Sequence, residues 1–209
     1  MFVIGLTGGI GTGKTEVAGI LQELGAETIS ADQVAHEAYR RGTPGWHKVV
    51  EEFGDGVLTT EGEVDRRKLG ELVFEDEQAL QRLNDIVHPR TRSIIEEQVR
   101  AFRQDGAAVV VVEVPLLVEA IRREAKWLSL LDDIWVTVGP EDEVIDRIHG
   151  RDRLDTEAVR ARMDAQTDKA DRVAHAGAVI DNKGTLEELR DRVQALWRDR
   201  VPHTNQDKG

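Results

Sequence analysis

Gly8-Gly9-Ile10-Gly11-Thr12-Gly13-Lys14-Thr15 follows directly on the apolar run Phe2-Val3-Ile4, close to the start of the chain. The stretch satisfies G-x-x-x-x-G-K-[ST] with Gly8 as the first glycine, in the strand–loop–helix setting that this pattern needs. Glycines let the backbone wrap closely around phosphate oxygens, and the loop N–H groups and the following helix terminus supply donors. Lys14 at this spacing reaches the β- and γ-phosphates, and Thr15 places its hydroxyl on Mg²⁺. The alternative is a glycine-rich turn with a solvated lysine, which would not require glycine, lysine and threonine at these spacings together. Gly8 through Thr15 are therefore the expected contacts for a nucleoside triphosphate. The motif speaks to binding and not to reaction type, because kinases, GTPases and mechanical ATPases share it.

Outward from the loop, apolar residues recur at helical spacing through Val17, Ile20, Leu21 and Leu24, with Gly25 as a stop. Glu27 to Ser30 reads as a second strand, and a short helical run continues to Tyr39 before Gly42-Thr43-Pro44. Residues 44–104 are mostly helical: Trp46, Val49, Val50 and Phe53 form one stripe, 54–62 a glycine-rich loop, and Leu69, Leu72, Val73 and Phe74 a further helix. A longer helix is predicted from Glu77 to Arg103, interrupted near His88-Pro89. The continuous apolar run Ala107–Val112 reads as a parallel strand covered on both faces, Ile134–Val138 as another strand and Ala178–Ile180 as a short final one. Helices are expected at 141–150, 155–166 and 185–198. Strands alternating with helices predict an α/β fold with a five-stranded, mostly parallel sheet.

The chain of 209 residues has 40 acidic and 28 basic side chains, a net charge of -12, and no cysteine. Broad binding to nucleic acid or acidic lipid is disfavoured by that charge, and a thiol nucleophile or cysteine cluster is excluded. Only 4% of residues are aromatic, which argues against base-stacking platforms. No apolar run approaches the ~20 residues of a membrane span, and no cleaved signal is expected ahead of the loop. A cytoplasmic protein is the expectation.

Several residues are candidates for chemistry. Asp32 follows the second strand, where ligands sit in open parallel sheets; it either orients Mg²⁺ or an acceptor hydroxyl, or caps a helix beginning at Gln33. Glu113 ends the apolar run 107–112, placed either to hold metal through water or to solubilise a strand end. Arg147 and Arg151 lie four apart on one helix face, with Arg153, Arg160 and Arg162 beyond. They read as a lid that neutralises a transferred phosphoryl group, or as a solvated face paired with Asp142, Glu143, Asp146, Asp152 and Asp155. His88 and His36 are each a cap or packed polar group as readily as a ligand contact. Asn182 either reads an adenine edge or belongs to the turn Asp181-Asn182-Lys183-Gly184. Trp127, Trp135 and Trp197 are expected in packing. No spacing makes a metal site from protein ligands alone.

The segments IGLTGGIGTGKTEVA, SADQVAHEAY, FGDGVL, EVDRRKLGELVFED, LNDIVHPR, VVVVEVPLLVE, DRIHGRD, RARMDAQ and VIDNKGTLEEL follow one another in that order. Over nearly the whole chain this resembles the dephospho-coenzyme A kinase family. The resemblance implies a P-loop three-layer α/β sandwich with a helical substrate lobe and a lid, in a single domain over 1–209. Its nucleotide core would comprise 1–43, 105–140 and 176–201, its substrate lobe 44–104 and its lid 141–175. It implies transfer of phosphate from ATP, with Mg²⁺, to the ribose 3′-hydroxyl of dephospho-coenzyme A, by a monomer or weak homo-oligomer needing neither nucleic acid nor membrane. By the same resemblance Asp32, Lys14, Arg147 and Arg151 are catalytic. Asn182 joins Gly8–Thr15 on the nucleotide, and Thr7, Gly8, Gly9, Asp32, His88, Pro115, Leu116 and Leu117 border the acceptor. Thr15 holds the metal, with Asp32 and Glu113 reaching it through water. The chain departs from the family in Glu113, where Asp is frequent, in His36, where Arg is common, and in Ala176-Gly177-Ala178, which lacks the usual carboxylate and aromatic residue. Two other functions fit the phosphate loop: a kinase for another nucleoside or nucleotide acceptor, and a nucleotide-dependent regulatory module.

Overall fold

Five strands, β1 (Phe2–Gly8), β2 (Glu27–Ser30), β3 (Val109–Glu113), β4 (Asp133–Val138) and β5 (Ala178–Asp181), form one parallel sheet in the order β2-β3-β1-β4-β5. The computed structural model describes residues 1–152, 156–164 and 166–202, without the side chains of Glu75, Arg151, Asp152 and Arg162. β1 is central, pairing Leu6 with Glu113 on one side and Gly8 with Thr137 on the other. The phosphate loop thus leaves the sheet at its carboxyl edge, where the chain crosses from one half of the sheet to the other and ligands bind in such folds. The helices are α1 (Lys14–Glu23), α2 (Ala31–Ala38), α3 (Pro44–Phe53), α4 (Arg66–Glu75), α5 (Glu77–Gln104), α6 (Leu117–Arg123), α7 (Glu141–Asp152), α8 (Thr156–Asp164), α9 (Lys169–Ala174) and α10 (Leu186–Arg200).

The chain divides into two compact units, one of Met1–Ile29 with the residues from Arg100 onward, the other Ser30–Val99. In the first, Ile4 and Leu6 of β1, Val109 and Val111 of β3, Trp135 of β4 and Ile180 of β5 pack with Val17, Ile20 and Leu21 of α1 and Leu189 and Val193 of α10. Each large apolar side chain so buried contributes about 1.5–3 kcal/mol. Trp135 is wholly buried, and its indole N–H donates to Asp133 Oδ2 at 2.9 Å. Trp127 is also buried, and Trp197 packs on the edge of the core. α10 opens with a reciprocal cap in which Thr185 and Glu188 satisfy each other's backbone N–H groups. A smaller cluster of Val144, Ile148 and Val159 joins α7 and α8, with Ile10 of the phosphate loop against it.

In the second unit Val49, Val57, Val64, Leu69, Val73 and Ala79 form the core, with Tyr39, Trp46 and Phe53 around it. Thr43 caps α3 by accepting from the Trp46 N–H, and Pro44 follows at the first turn, where its missing N–H costs nothing. The expected loop 54–62 contains a short 3-10 turn at Asp55–Val57, and Leu58 then bridges to Val64. The interruption expected at His88-Pro89 does not occur: α5 runs for 28 residues with Pro89 inside it. Proline removes one helical hydrogen bond, but Val87, Thr91, Ile95 and Val99 hold one continuous buried stripe across it. That tertiary contact outweighs the local preference. The sequence reading does not include α9, whose six residues are too few to establish a helical period and of which none is buried.

Candidate nucleotide site

The phosphate loop is built by its own backbone and then braced by side chains from distant segments. Gly13, at φ 89°, turns the chain in the left-handed region and hands it to α1, whose first-turn N–H groups have no intrahelical acceptor. Lys14 Nζ donates to the carbonyls of Gly8 and Gly9, both at 3.0 Å, which draws its charge back over the loop. Thr12 is buried, its hydroxyl bonded to the Gly9 carbonyl at 2.8 Å and sharing a 2.7 Å bond with Thr137 Oγ1. Thr137 sits opposite Gly8 in β4, and a side chain begun at Gly8 would fall 2.1 Å from its hydroxyl. Thr15 is exposed at the first turn of α1.

Asn182, just past β5, is buried, and its side-chain amide donates to the Thr12 carbonyl at 3.0 Å. The same amide stands where a Cβ on Gly13 would fall, 2.0 Å away. In this structure Asn182 thus fixes the loop from behind. Arg147 of α7 donates to the Asn182 carbonyl at 2.9 Å, reaches the Gly11 carbonyl at 3.5 Å and pairs with Glu143 at 2.6 Å. Arg160 pairs with Glu141 at 3.4 Å in solvent. The Arg151 and Arg162 side chains, and Arg153 as a whole, lie outside the described residues.

Beside the loop opens a cavity of about 540 Å³, lined by Gly9, Ile10, Thr12, Thr137 and Gly139 and by Gln166, Thr167, Asp168 and Arg172. Gln166 Oε1 accepts the Ile10 N–H at 2.9 Å. Arg172 of α9 donates to the Thr167 carbonyl and lays its guanidinium against Gly9. Glu119 of α6 accepts from the Thr167 N–H at 3.0 Å. Burial alone would raise the Glu119 carboxyl, but hydrogen bonds from Thr167 and the charge of Arg172 outweigh it and leave it below the ordinary glutamate value. Burial likewise pulls the Arg172 guanidinium below its ordinary value, against Glu119 and Asp168. Sequence reasoning does not single out Thr137, Gln166, Glu119 or Arg172. A threonine inside the apolar run of β4 and a glutamine closing RARMDAQ are the available signals.

Thr7 is wholly buried, its hydroxyl donating to the Pro115 carbonyl at 3.2 Å, so it ties β1 to the turn after β3. In that turn Leu116 is exposed, whereas Leu117 is wholly buried and packs where a Cβ on Gly5 would fall. The Leu117 side chain is thus spent on the core in this structure. Glu113 is half-buried at the end of β3.

In the other unit, Asp32 is exposed in the first turn of α2. The helix cap, one of its two readings from sequence, falls to Ser30, whose hydroxyl accepts from the Gln33 N–H, because α2 starts at Ala31 rather than Gln33. Asp32 is thus free of the structural duty that competed with a chemical one. His36, one turn on, is held below the ordinary histidine value by burial, with Arg66 adding to it against the pull of Asp32. His88 is exposed on α5. At the departure Gly177 a Cβ would lie 1.8 Å from Asp133 Oδ1, so any larger residue there would have to displace that carboxylate.

Among the described residues no three His, Cys, Asp or Glu side chains group to hold a metal. Mg²⁺ binds through one or two protein oxygens plus substrate phosphates and waters, and the exposed Thr15 hydroxyl beside the cradle suits that donor set.

A family model for dephospho-CoA kinase matches residues 2–188. A dephospho-CoA kinase of Thermobifida fusca is 43% identical over 199 residues, covering 95% of this chain and 96% of that one. One from Carboxydothermus hydrogenoformans is 38% identical, covering 94% of this chain and 96% of its own. The solved dephospho-CoA kinase of Campylobacter jejuni superposes with a TM-score of 0.71 at 28% identity, over 95% of this chain and 96% of that one.

Proposed function

The chain belongs to the dephospho-CoA kinase family, and from that premise we propose that Gly8–Thr15 hold the ATP phosphates while Asp32 serves the acceptor hydroxyl. The family's reaction is the last step of coenzyme A biosynthesis, phosphorylation of dephospho-CoA by ATP. Neither another acceptor nor a regulatory module is favoured. The observation that carries the assignment of roles is the cradle itself: a Gly-Lys-Thr loop at the carboxyl end of the central strand, its carbonyls tied down by Lys14, Thr12, Asn182 and Arg147.

In this reading the 3′-oxygen of the acceptor forms a bond to the γ-phosphorus, and the bond to the β–γ bridging oxygen breaks with its electron pair leaving on ADP. Asp32 orients the hydroxyl and takes its proton. Lys14, Arg147 and Arg151 stabilise charge on the phosphoryl oxygens, donors fixed in advance being worth more than solvent would supply. Mg²⁺, held by Thr15 and through water by Asp32 and Glu113, would neutralise charge on the phosphates. Asn182 contributes by holding the Thr12 peptide, and its backbone borders the nucleotide. His88, Pro115 and Leu116 border the acceptor with Thr7 and Gly8. No helix among the described residues is long and apolar enough to cross a membrane. We place the protein in the cytoplasm as a monomer or weak homo-oligomer, acting on a small molecule without nucleic acid.

The test is purified protein with ATP, Mg²⁺ and dephospho-CoA, followed by mass and linkage analysis. A new phosphate on the ribose 3′-oxygen is expected. In Asp32→Asn, ATP affinity should stay within about threefold while product formation falls about 10²–10⁴-fold; normal turnover would remove Asp32 from its role.

A further inference from the structure

We propose that Arg172 is a further catalytic residue, the cation that meets the terminal phosphoryl group of ATP bound on the phosphate loop. The proposal rests on the assignment of that loop to the ATP phosphates and adds a residue that neither the motif nor the spacing of the lid arginines supplied.

Four observations converge. The guanidinium lies on the loop backbone: a Cβ on Gly9 would fall 3.0 Å from Arg172 Nη2. That is the same peptide whose carbonyl accepts from Lys14 Nζ at 3.0 Å, so the two cations meet at one end of the loop. Lysine in this motif marks the β/γ end of the triphosphate. Arg147, assigned above to the same charge, meets the loop at a different point, the Gly11 carbonyl, and also holds the Asn182 carbonyl. Arg172 also lines the cavity beside the loop, together with Gly9, Ile10 and Thr12.

The guanidinium is held but not saturated. Its Nη1 donates to the Thr167 carbonyl, while its Nε is buried with no hydrogen-bond partner among the described residues. A buried donor without an acceptor is costly, and an anion arriving on the loop would satisfy it. Glu119 and Asp168 face the cation and balance its charge, and Glu119 fixes Thr167, whose carbonyl aims the guanidinium. Gln166 closes the arrangement by taking the Ile10 N–H. A planar fork suits phosphoryl oxygens, and desolvation strengthens the contact. Arg172 forms and breaks no covalent bond; it lowers the cost of the charge on the oxygens of the phosphorus as the 3′-oxygen bond forms and the ADP bond breaks.

The rival role is a strut that fixes α9 through Thr167 and Glu119, and the experiment separates the two. Arg172→Ala and Arg172→Lys are compared for ADP affinity, thermal midpoint and turnover at saturating ATP and dephospho-CoA, with and without added guanidinium chloride. The expected result for Arg172→Ala is ADP affinity within about threefold, turnover down about 10²–10³-fold, and partial recovery with guanidinium. Arg172→Lys should keep the midpoint and still lose about tenfold in turnover, because it keeps charge without the fork; it carries the test if the alanine variant fails to fold. Turnover within threefold in both variants overturns the proposal, as does a loss that tracks ADP affinity and midpoint with no response to guanidinium. Lys14→Ala, measured alongside for ATP affinity, tests the loop assignment separately: undiminished affinity there sinks that assignment whatever Arg172 does.

Discussion

Asn182→Asp exchanges one donor for one acceptor in almost the same shape, at a position only 7% exposed. In the parent protein the side-chain amide donates to the Thr12 carbonyl at 3.0 Å. In the variant a carboxylate oxygen faces that carbonyl, so two acceptors confront each other with no proton between them. One unsatisfied buried group costs about 1–3 kcal/mol, and more when charged. The crowding adds to this, since the amide already occupies the space a Gly13 side chain would need. Taking about 3 kcal/mol for the pair, and about 2–4 °C per kcal/mol for a chain of this size, the thermal midpoint should fall by about 6–12 °C. Asn182→Ala removes the donor without adding the opposing charge, so its loss should be about 1–2 kcal/mol, or about 2–8 °C. The assay is differential scanning calorimetry at neutral pH, with ATP affinity measured on the same samples. Both variants should also bind ATP more weakly, because the Thr12 peptide is no longer held. An aspartate variant as stable as the alanine variant, or either one with parental midpoint and affinity, would refute the view that this amide braces the loop.

Gly177→Ala should destabilise by about 1–3 kcal/mol, because the new methyl displaces the Asp133 carboxylate and with it the bond from the Trp135 indole; a midpoint unchanged on heating scans would contradict this. Glu119 has a carboxyl held below its ordinary value when folded, so its stabilisation is present above the unfolded-state value and is lost as pH falls through the folded one. In Glu119→Gln the decline of the midpoint between neutral pH and about pH 3 should therefore be shallower than in the parent, and parallel curves would show that the carboxylate contributes nothing. Gly8→Ala should remove ATP binding, since the methyl would stand 2.1 Å from the Thr137 hydroxyl and 2.6 Å from its carbonyl oxygen; titration calorimetry showing parental affinity would count against so close an approach of β4 to the loop.

The sheet is legible because buried parallel strands leave continuous apolar runs, and four of the five strands carry that signal or a short form of it. α5 departs from expectation at Pro89 for the opposite reason: the local rule for proline is sound, but a buried stripe on both sides of it decides the outcome, and that stripe is a tertiary fact. Asp32 shows the same limit from another side. Whether it caps α2 depends on where the first turn begins, and a shift of two residues gives the cap to Ser30. The phosphate loop itself can be read to the residue, yet the way distant side chains brace it cannot. Thr137, Asn182 and Arg172 come from three separate segments, and each lies where a side chain on Gly8, Gly13 or Gly9 would have to go. Gly8 and Gly13, the two glycines the motif fixes, are thus also required by the polar groups packed against them. A motif records only that the position must be empty; it does not record what fills the space. That is why Arg172, half-buried among charged residues with no periodicity, is visible only through the placement of its guanidinium against Gly9.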